Sequence, residues 1–299
     1  MFGAPVAMFS YTTLSQIALH VGREMNLDLI ANVRTDADLH SWNVGKKLLS
    51  PLFAVEKLKP QRVNTFGDVT PKNGFDVEKL EDCKSYWGTV ASMRVEGTSR
   101  EFFEDFNWKR TRVARSEGKI DFPSNSTKGR SISGGIFFQA NYNPSVNWVE
   151  LFTAWCRQTS AYAGILHVAT DHERQVLRDK TTRELTTIEE IEKMAWSRFA
   201  HGSFSCEFRA GDLNSLVKGL TNLGWASWFG GALIKEVDEV AISAAGFPID
   251  KFDTGYLIRV TEQLEDVTND FEFFSMRRME LKSLFRKELF LIKKEPKIT

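Results

Sequence analysis

Cysteine is scarce in this chain of 299 residues, which contains only three. Cys83, Cys156 and Cys206 lie far apart, and no two of them have the C-x-x-C spacing of zinc knuckles and redox motifs. An odd set of three at these distances does not suggest a disulfide framework either, and the content fits a reducing compartment. We expect Cys156 and Cys206 to be buried as small apolar side chains.

Long apolar runs are missing as well. No stretch approaches the roughly 18 apolar residues that a transmembrane helix requires. The segment Met1–Met25 has no basic start, and Pro5 and Ser10 interrupt its apolar residues, so it does not predict a signal peptide. We therefore expect no membrane contact and a cytoplasmic location.

The chain also lacks net charge and phosphate-binding glycine motifs. Its 39 basic and 39 acidic residues balance, whereas proteins that bind nucleic acid non-specifically are normally basic. Gly134-Gly135 and Gly230-Gly231 fit neither G-x-x-x-x-G-K-[ST] nor G-x-G-x-x-G. Composition thus predicts no direct nucleic-acid partner and no cofactor, and it leaves the oligomeric state open.

Apolar and aromatic residues, in contrast, are plentiful. They include 23 Phe and 8 Trp, which is enough for a large packed core. The basic segment Asn107–Arg130 ends in a serine- and glycine-rich connector, where we place a boundary between regions 1–130 and 131–299. The alternative is one continuous domain, in which this segment is a charged, solvated loop.

Clear secondary-structure patterns begin after residue 130. Ile136–Tyr142 and Tyr162–Ala169 read as strands, and Asn143-Pro144 reads as the start of a helix between them. Further helices are predicted at Ile188–Phe199 and Asp212–Asn222. This order predicts an α+β fold, in which helices pack on one face of a mainly antiparallel sheet.

The strongest pattern is a long carboxy-terminal helix. Asn269 and Glu272 have the spacing of a capping box, with Asp270 in the first turn. An apolar stripe then recurs at helical spacing as far as Ile292; its members are Val267, Phe271, Phe274, Leu281, Phe285, Leu289 and Ile292.

One local group of histidines and carboxylates occurs between His167 and Glu173. His167 and His172 are five residues apart, so on a helix they point about 140° away from each other. On a strand they point to opposite faces. We therefore predict no metal site here, and interpret the group as a strand end followed by a charged loop.

Two other features concern interaction surfaces. The stretch Glu236–Glu272 contains ten acidic and two basic residues, and an acidic face can attract a basic partner. Ordinary solvation of loops and helix starts explains the same charges. Trp225, Trp228 and Phe229 are either interface anchors, if exposed, or core residues.

The segment Leu220–Asp270 resembles a group of bacterial immunity proteins from polymorphic-toxin and type VI secretion systems. In that group a Leu-Gly-Trp element precedes a G-x-L-I strand that ends in Thr-Glu. The matching residues here are Leu223, Gly224, Trp225, Gly255, Leu257, Ile258, Thr261 and Glu262.

The resemblance implies an antitoxin without catalytic residues that inhibits a cognate toxin, such as a nuclease, by binding it. We take as first candidates for toxin contact three aromatic and four acidic residues: Trp225, Trp228, Phe229, Asp238, Glu239, Asp250 and Asp253. One alternative is a hydrolase-like enzyme that uses His167, Asp171 or His201. A second alternative is a phage or mobile-element accessory protein that binds another protein.

Overall fold

A ten-stranded sheet forms the centre of the protein. The computed structural model describes residues 28–65, 67–95, 97–125, 131–175 and 220–296. The strands in these ranges are β1 (Leu29–Thr35), β2 (Arg62–Asn64), β3 (Phe75–Asp76), β4 (Val90–Val95), β5 (Thr98–Phe103), β6 (Phe106–Arg110), β7 (Ser116–Asp121), β8 (Ser124–Asn125), β9 (Ser131–Ile132), β10 (Gly134–Ala140), β11 (Ala163–Val168), β12 (Ala226–Gly230), β13 (Ile249–Phe252) and β14 (Gly255–Arg259).

Helices separate and follow these strands. The α-helices of the described ranges are α1 (Trp42–Ala54), α2 (Trp148–Gln158), α3 (Asp171–Gln175), α4 (Glu239–Ala244), α5 (Asp266–Asn269) and α6 (Phe271–Ser283). Two 3-10 helices lie at Leu80–Tyr86 and Gly231–Glu236. None of the helices in the described part of the chain has the length and apolar character that a bilayer span requires.

Strand β1 lies near the middle of the sheet. The order is β13-β14-β12-β11-β1-β10-β7-β6-β2-β3, and neighbouring strands are antiparallel. Leu29 pairs with Ala140 of β10 on one side and with Val168 of β11 on the other. Strands from both sides of residue 130 thus belong to one sheet, and the predicted boundary itself falls among residues that the structure does not describe.

One face of the central strands packs against α2. Phe138 of β10 contacts Trp155 of α2 edge-on, with ring centroids 5.4 Å apart. Gly164 of β11 faces the same way, because a Cβ there would lie 3.0 Å from the ring of Phe152. The indole N–H of Trp155 donates to the carbonyl oxygen of Leu48 at 2.9 Å, which connects α2 to α1.

The opposite face packs against α6 and the segment that follows it. The ring of His167 in β11 stacks on Phe274 at 5.7 Å, and Phe229 of β12 stacks on Phe285 at 5.0 Å. Every residue of β11 and β12 is buried, which is the pattern of strands covered on both faces. The predicted α+β class with a mainly antiparallel sheet is confirmed, but helices cover both faces rather than one.

Residues 107–110 and 116–121 of the basic segment are part of the sheet, which corrects the prediction of a solvated loop for that part. These residues lie in β6 and β7, in which buried and half-buried positions alternate. On the half-buried face, Lys109 pairs with Glu117 at 3.1 Å, and Lys119 pairs with Asp105 and Asp121 at 2.7 Å each. Two of the segment's lysines, Lys109 and Lys119, are therefore paired with carboxylates.

Helix starts and ends also differ from the prediction. Helix α2 begins after Asn147, whose side chain accepts from the N–H of Glu150 at 3.1 Å, so Asn143 is not its cap. The cap of α6 is Asp270, and α6 ends at Ser283, well before Ile292. The predicted helix Ile188–Phe199 lies outside the described residues.

The last three residues of the other predicted helix, Asp212–Asn222, are not helical. Leu220 forms a parallel bridge with Phe290, and its N–H donates to the carbonyl oxygen of Leu289. The earlier part of that prediction lies outside the described residues. The apolar residues after Ser283 are buried by this pairing rather than by a longer helix.

We predict that Gly118→Ala destabilises the fold by about 1–3 kcal/mol through overpacking. Trp108 lies opposite Gly118 in the β6–β7 pair, and a Cβ at Gly118 would lie 2.0 Å from its ring. Urea denaturation measures the effect. In a Trp108→Leu background the same change should cost less; equal costs in both backgrounds would contradict this explanation.

Candidate functional site

The three candidate aromatic residues lie in the core. Trp225, Trp228 and Phe229 are buried, and both indole N–H groups have acceptors within the chain. Trp225 donates to the hydroxyl of Thr261 at 3.0 Å, and Trp228 donates to the carbonyl oxygen of Ala161 at 2.9 Å. The sequence left two roles open for these side chains, interface anchor or core residue. The structure shows that they are core residues.

The Leu-Gly-Trp element that carries the resemblance organises this core locally. A Cβ on Gly224 would lie 2.9 Å from the carbonyl oxygens of Ala226 and Leu166, so only glycine fits there without a shift. The N–H of Gly224 donates to the hydroxyl of Ser227 at 3.1 Å. The N–H of Trp225 donates to Nδ1 of a buried histidine in β11. These contacts give the element a structural role.

The four candidate acidic residues lie around the edge formed by β13, β14 and α4. We call this group of Asp238, Glu239, Asp250 and Asp253, together with its basic partners, the acidic edge. Strand β13 is the last strand of the sheet on this side. Asp238 is the cap of α4 and accepts from the N–H of Ala241 at 3.0 Å.

Three carboxylates of the acidic edge have cationic partners. Glu239 pairs with Lys251 at 2.9 Å, Asp250 with Arg259 at 3.4 Å and Asp253 with Arg157 at 3.6 Å; these pairs are at least partly exposed. The hydrogen bond from Lys251 lowers the pKa of Glu239, and so does the one from Tyr256. The acidic edge is therefore a surface of mixed charge.

A second constellation lies in the interior, around His167 and Glu173. Nδ1 of His167 accepts from the N–H of Trp225 at 3.2 Å, so the ring proton is on Nε2. Nε2 lies 3.1 and 3.0 Å from the two carboxylate oxygens of Glu173. Glu173 also accepts from the N–H and hydroxyl of Thr170, at 3.0 and 3.1 Å. The carboxylate is thus fixed by β11 and the turn into α3.

Arg278 of α6 extends this constellation to the end of the chain. Its Nη1 donates to Glu173 at 2.8 Å, and its Nε donates to Glu295 at 3.0 Å. Lys282, one turn further along α6, donates to Glu295 at 2.8 Å and to the carbonyl oxygen of Ile292 at 3.2 Å. We call these five side chains the buried ionic cluster: His167, Glu173, Arg278, Lys282 and Glu295.

The cluster holds two carboxylates and two permanent or near-permanent cations, so its charges balance. Burial by itself raises the pKa of Glu173, but His167, Arg278 and the hydrogen bonds lower it more, so it lies well below the ordinary 4.5. The pKa of Glu295 is lowered by Arg278 and Lys282 against the same penalty. Burial and the neighbouring Arg278 lower the pKa of Lys282 to about 8, although Glu295 opposes this shift.

This geometry bears on the enzyme alternative. The side chain of His167 is inaccessible to solvent, and both of its ring nitrogens are engaged. Its carboxylate partner is Glu173, whereas Asp171 is exposed at the start of α3 and lies 4.0 Å from Arg174. The structure does not bring His167 and Asp171 together, and His201 lies outside the described residues.

A cleft of about 310 Å³ opens where β11 meets α3. Thr170 lines this cleft and also contacts the buried ionic cluster. Asp28, Asp171 and His172 also line it, and the His172 ring stacks on Phe271 at 5.0 Å.

Within the described ranges, no three His, Cys, Asp or Glu side chains are grouped so that they could hold a metal ion. Cys83 and Cys156 are buried free thiols, while Cys206 lies outside those ranges.

The chain matches no protein-family model, and no curated protein matches its sequence. Its fold is similar to that of the Pseudomonas aeruginosa type VI secretion system (T6SS) protein PA0821, with a TM-score of 0.54. The match covers 88% of this chain and 77% of that chain, at 8% sequence identity. At this identity the likeness shows a shared fold.

Sequence reasoning did not find most of the buried ionic cluster. Glu173 was noticed beside His167, but its contact with Arg278 joins residues that are far apart in the chain. One signal was present: Arg278 stands on the apolar stripe of α6, between Phe274 and Leu281. A charged residue on a buried helix face needs a buried partner. The pattern could have indicated a pair but not the identity of its carboxylates.

We predict that Arg278→Met lowers the free energy of unfolding by about 3–5 kcal/mol, because it leaves two buried carboxylates without their shared cation. Chemical denaturation checks this. The matched control is Arg286→Met, which removes a half-exposed partner of Glu236 and should cost about 1 kcal/mol or less. Equal losses in the two variants would contradict a special role for Arg278.

We also predict that acid selectively weakens the fold through Glu173 and Glu295. Their folded-state pKa values are lowered, so their stabilisation is complete above the ordinary value of 4.5 and is lost as the pH falls further. Unfolding midpoints measured between about pH 7 and about pH 3.5 should decrease steeply below about pH 4.5. A Glu173→Gln variant should be less stable at neutral pH and show a shallower decrease; an unchanged slope would contradict the assignment.

Proposed function

We propose that this chain is an immunity protein that binds a cognate secreted bacterial toxin and neutralises it by stoichiometric inhibition. The observation that carries the proposal is the fold, which is shared with a T6SS protein along most of the chain. The Leu223-Gly224-Trp225 and Gly255–Ile258 elements support it independently, because they resemble those of immunity proteins. In such systems each toxin is encoded beside its inhibitor.

The surface chemistry is compatible with binding a basic nuclease toxin. On the acidic edge, Asp238 and Asp253 are exposed, and complementary charge accelerates association. Three of the four candidate carboxylates there are already paired within the chain, however, which reduces the potential they offer a partner. Electrostatic steering is therefore the smaller part of the proposal, and apolar contact must supply most of the affinity.

Inhibition of this kind requires accessible surface rather than an accessible acid or base. His167 and Glu173 are buried, hydrogen-bonded to each other, and stabilise the fold. This arrangement suits a rigid scaffold that presents a preformed surface to a partner. A preformed surface loses little conformational entropy on binding, which favours tight complexes.

We predict that this chain protects cells from the toxin domain encoded beside its gene. Cells that express the toxin alone should stop growing, and cells that also express this chain should grow. An inactivated toxin variant should co-purify with the full chain as a one-to-one complex with a Kd on the order of 10⁻⁹ M.

The control is an unrelated toxin of the same activity class, against which the chain should give no protection. Absence of a toxin-encoding neighbour, or a neighbour that neither binds the chain nor is inhibited by it, would overturn the proposal.

A further inference from the structure

The loop that joins β6 to β7, Thr111–Arg115, has a fixed backbone. The side-chain oxygen of Gln61 accepts from the N–H groups of Thr111 and Arg112, at 2.9 and 3.2 Å. The carbonyl oxygen at the end of the loop accepts from the N–H of Asn141 at 2.9 Å. Because these bonds set the conformation in advance, the loop loses little conformational entropy when a partner binds it.

Three side chains of this loop are exposed to solvent. Val113 is 77% exposed, and Arg112 and Arg115 are exposed on either side of it. A single exposed apolar residue is common on protein surfaces and does not by itself mark a binding site. The charges around Val113 therefore decide whether the loop is a contact surface.

Five cationic residues lie in the loop and beside it. Arg110 is buried at the base of the loop, where its guanidinium donates to the carbonyl oxygens of Lys59 and Val113 at 3.0 and 3.2 Å. Lys57 and Lys59 belong to the segment between α1 and β2 that this arginine contacts. We call the whole group the basic loop patch: Lys57, Lys59, Arg110, Arg112 and Arg115.

None of these five cations forms an ion pair with a carboxylate of the described residues. Lys109 and Lys119 in the same two strands differ, because both are paired. Glu117, two residues after the loop, is engaged by Lys109, and Glu56 is an exposed carboxylate beside the patch. The carbonyl oxygens around Arg110 satisfy its donors without cancelling its charge. The patch is thus positive in a chain whose formal net charge is zero.

This chemistry favours a protein with exposed carboxylates as the partner. Surfaces that bind single-stranded nucleic acid add aromatic side chains on which bases stack, and the loop and the patch contain none. Arginine is enriched at the centres of protein interfaces, and its guanidinium forms two parallel hydrogen bonds with a carboxylate. Val113 adds apolar contact between the two exposed arginines. The complement is a protein surface with carboxylates around an apolar depression.

We propose that the toxin docks on the basic loop patch. Arg112 and Arg115 pair with carboxylates of the toxin, and Val113 enters the apolar depression between them. This inference rests on the proposed function. It assigns the contact to cations that have no partner in the described chain, whereas three carboxylates of the acidic edge are already paired.

The test uses the full chain and the inactivated toxin domain encoded beside its gene. Arg112→Glu and Arg115→Glu are combined, and Kd and the association rate are measured beside the thermal midpoint. We expect binding to weaken by about 100-fold or more. Association should slow most at low salt, because the charge that attracts the partner is reversed. The thermal midpoint should not change, since both side chains are exposed and unpaired.

Two further double variants show whether position and geometry matter beyond charge. Arg112→Lys with Arg115→Lys keeps the charge but loses the paired hydrogen bonds, so Kd should rise about 10-fold at a nearly unchanged association rate. The matched control is Lys235→Glu with Lys287→Glu. It makes the same change in net charge at two exposed lysines of the carboxy-terminal half and should leave Kd unchanged.

The possible results separate the inference from the proposed function. Unchanged toxin binding by the Arg112→Glu and Arg115→Glu variant would overturn the inference and leave the proposed function standing. Equal weakening by the control pair would also overturn it, because net charge alone would explain the effect. A short DNA duplex that binds the unaltered chain but not the arginine variant, with toxin affinity unchanged, would assign the patch to nucleic acid instead. No toxin binding by the unaltered chain would refute the proposed function itself.

Discussion

The contact between Glu173 and Arg278 is the constraint on which the carboxy-terminal half of the fold depends. Two opposite charges that are removed from water must meet with good geometry, because an unpaired buried ion is very costly. Arg278 satisfies Glu173 and Glu295 together, so one guanidinium joins the turn after β11, helix α6 and the last described segment. The pair also decides which side of α6 faces the sheet. With Arg278 turned inward, Phe273 and Met276 must face outward, so the interior chemistry dictates the exterior surface.

The features that were predicted correctly are those whose residues form a recognisable local pattern in the sequence. The strand at β11 and the buried Cys156 followed from apolar and aromatic residues at recognisable spacing. Strands β6 and β7 were missed because lysines and arginines masked their alternation, and only the paired structure shows Lys109 beside Glu117. The length of the final helix was overestimated, since an apolar stripe can continue in an extended segment that is buried by pairing with Leu220.

The candidate site could be predicted only in part, for a related reason. Sequence shows which residues are aromatic or acidic but not which of them find partners inside the fold. Trp225 and Trp228 donate hydrogen bonds to acceptors in the core, and Asp250 and Asp253 form ion pairs with arginines. The exposed Phe273, Met276 and Met279 were not predicted, because the apolar pattern of α6 was assigned to its inner face alone. Choosing between two apolar faces of one helix requires knowledge of what packs against it.

The central position of β1 has a consequence for how the chain acquires its structure during synthesis. Strand β1 leaves the ribosome before both of its neighbours, β10 and β11, which follow roughly 100 to 140 residues later. Until then β1 has two open hydrogen-bonding edges and apolar side chains without cover, which makes a nascent chain prone to association. Pairings this distant in sequence also slow folding. The edges of β1 therefore stay open to association over a long stretch of translation, until β11 has left the exit tunnel.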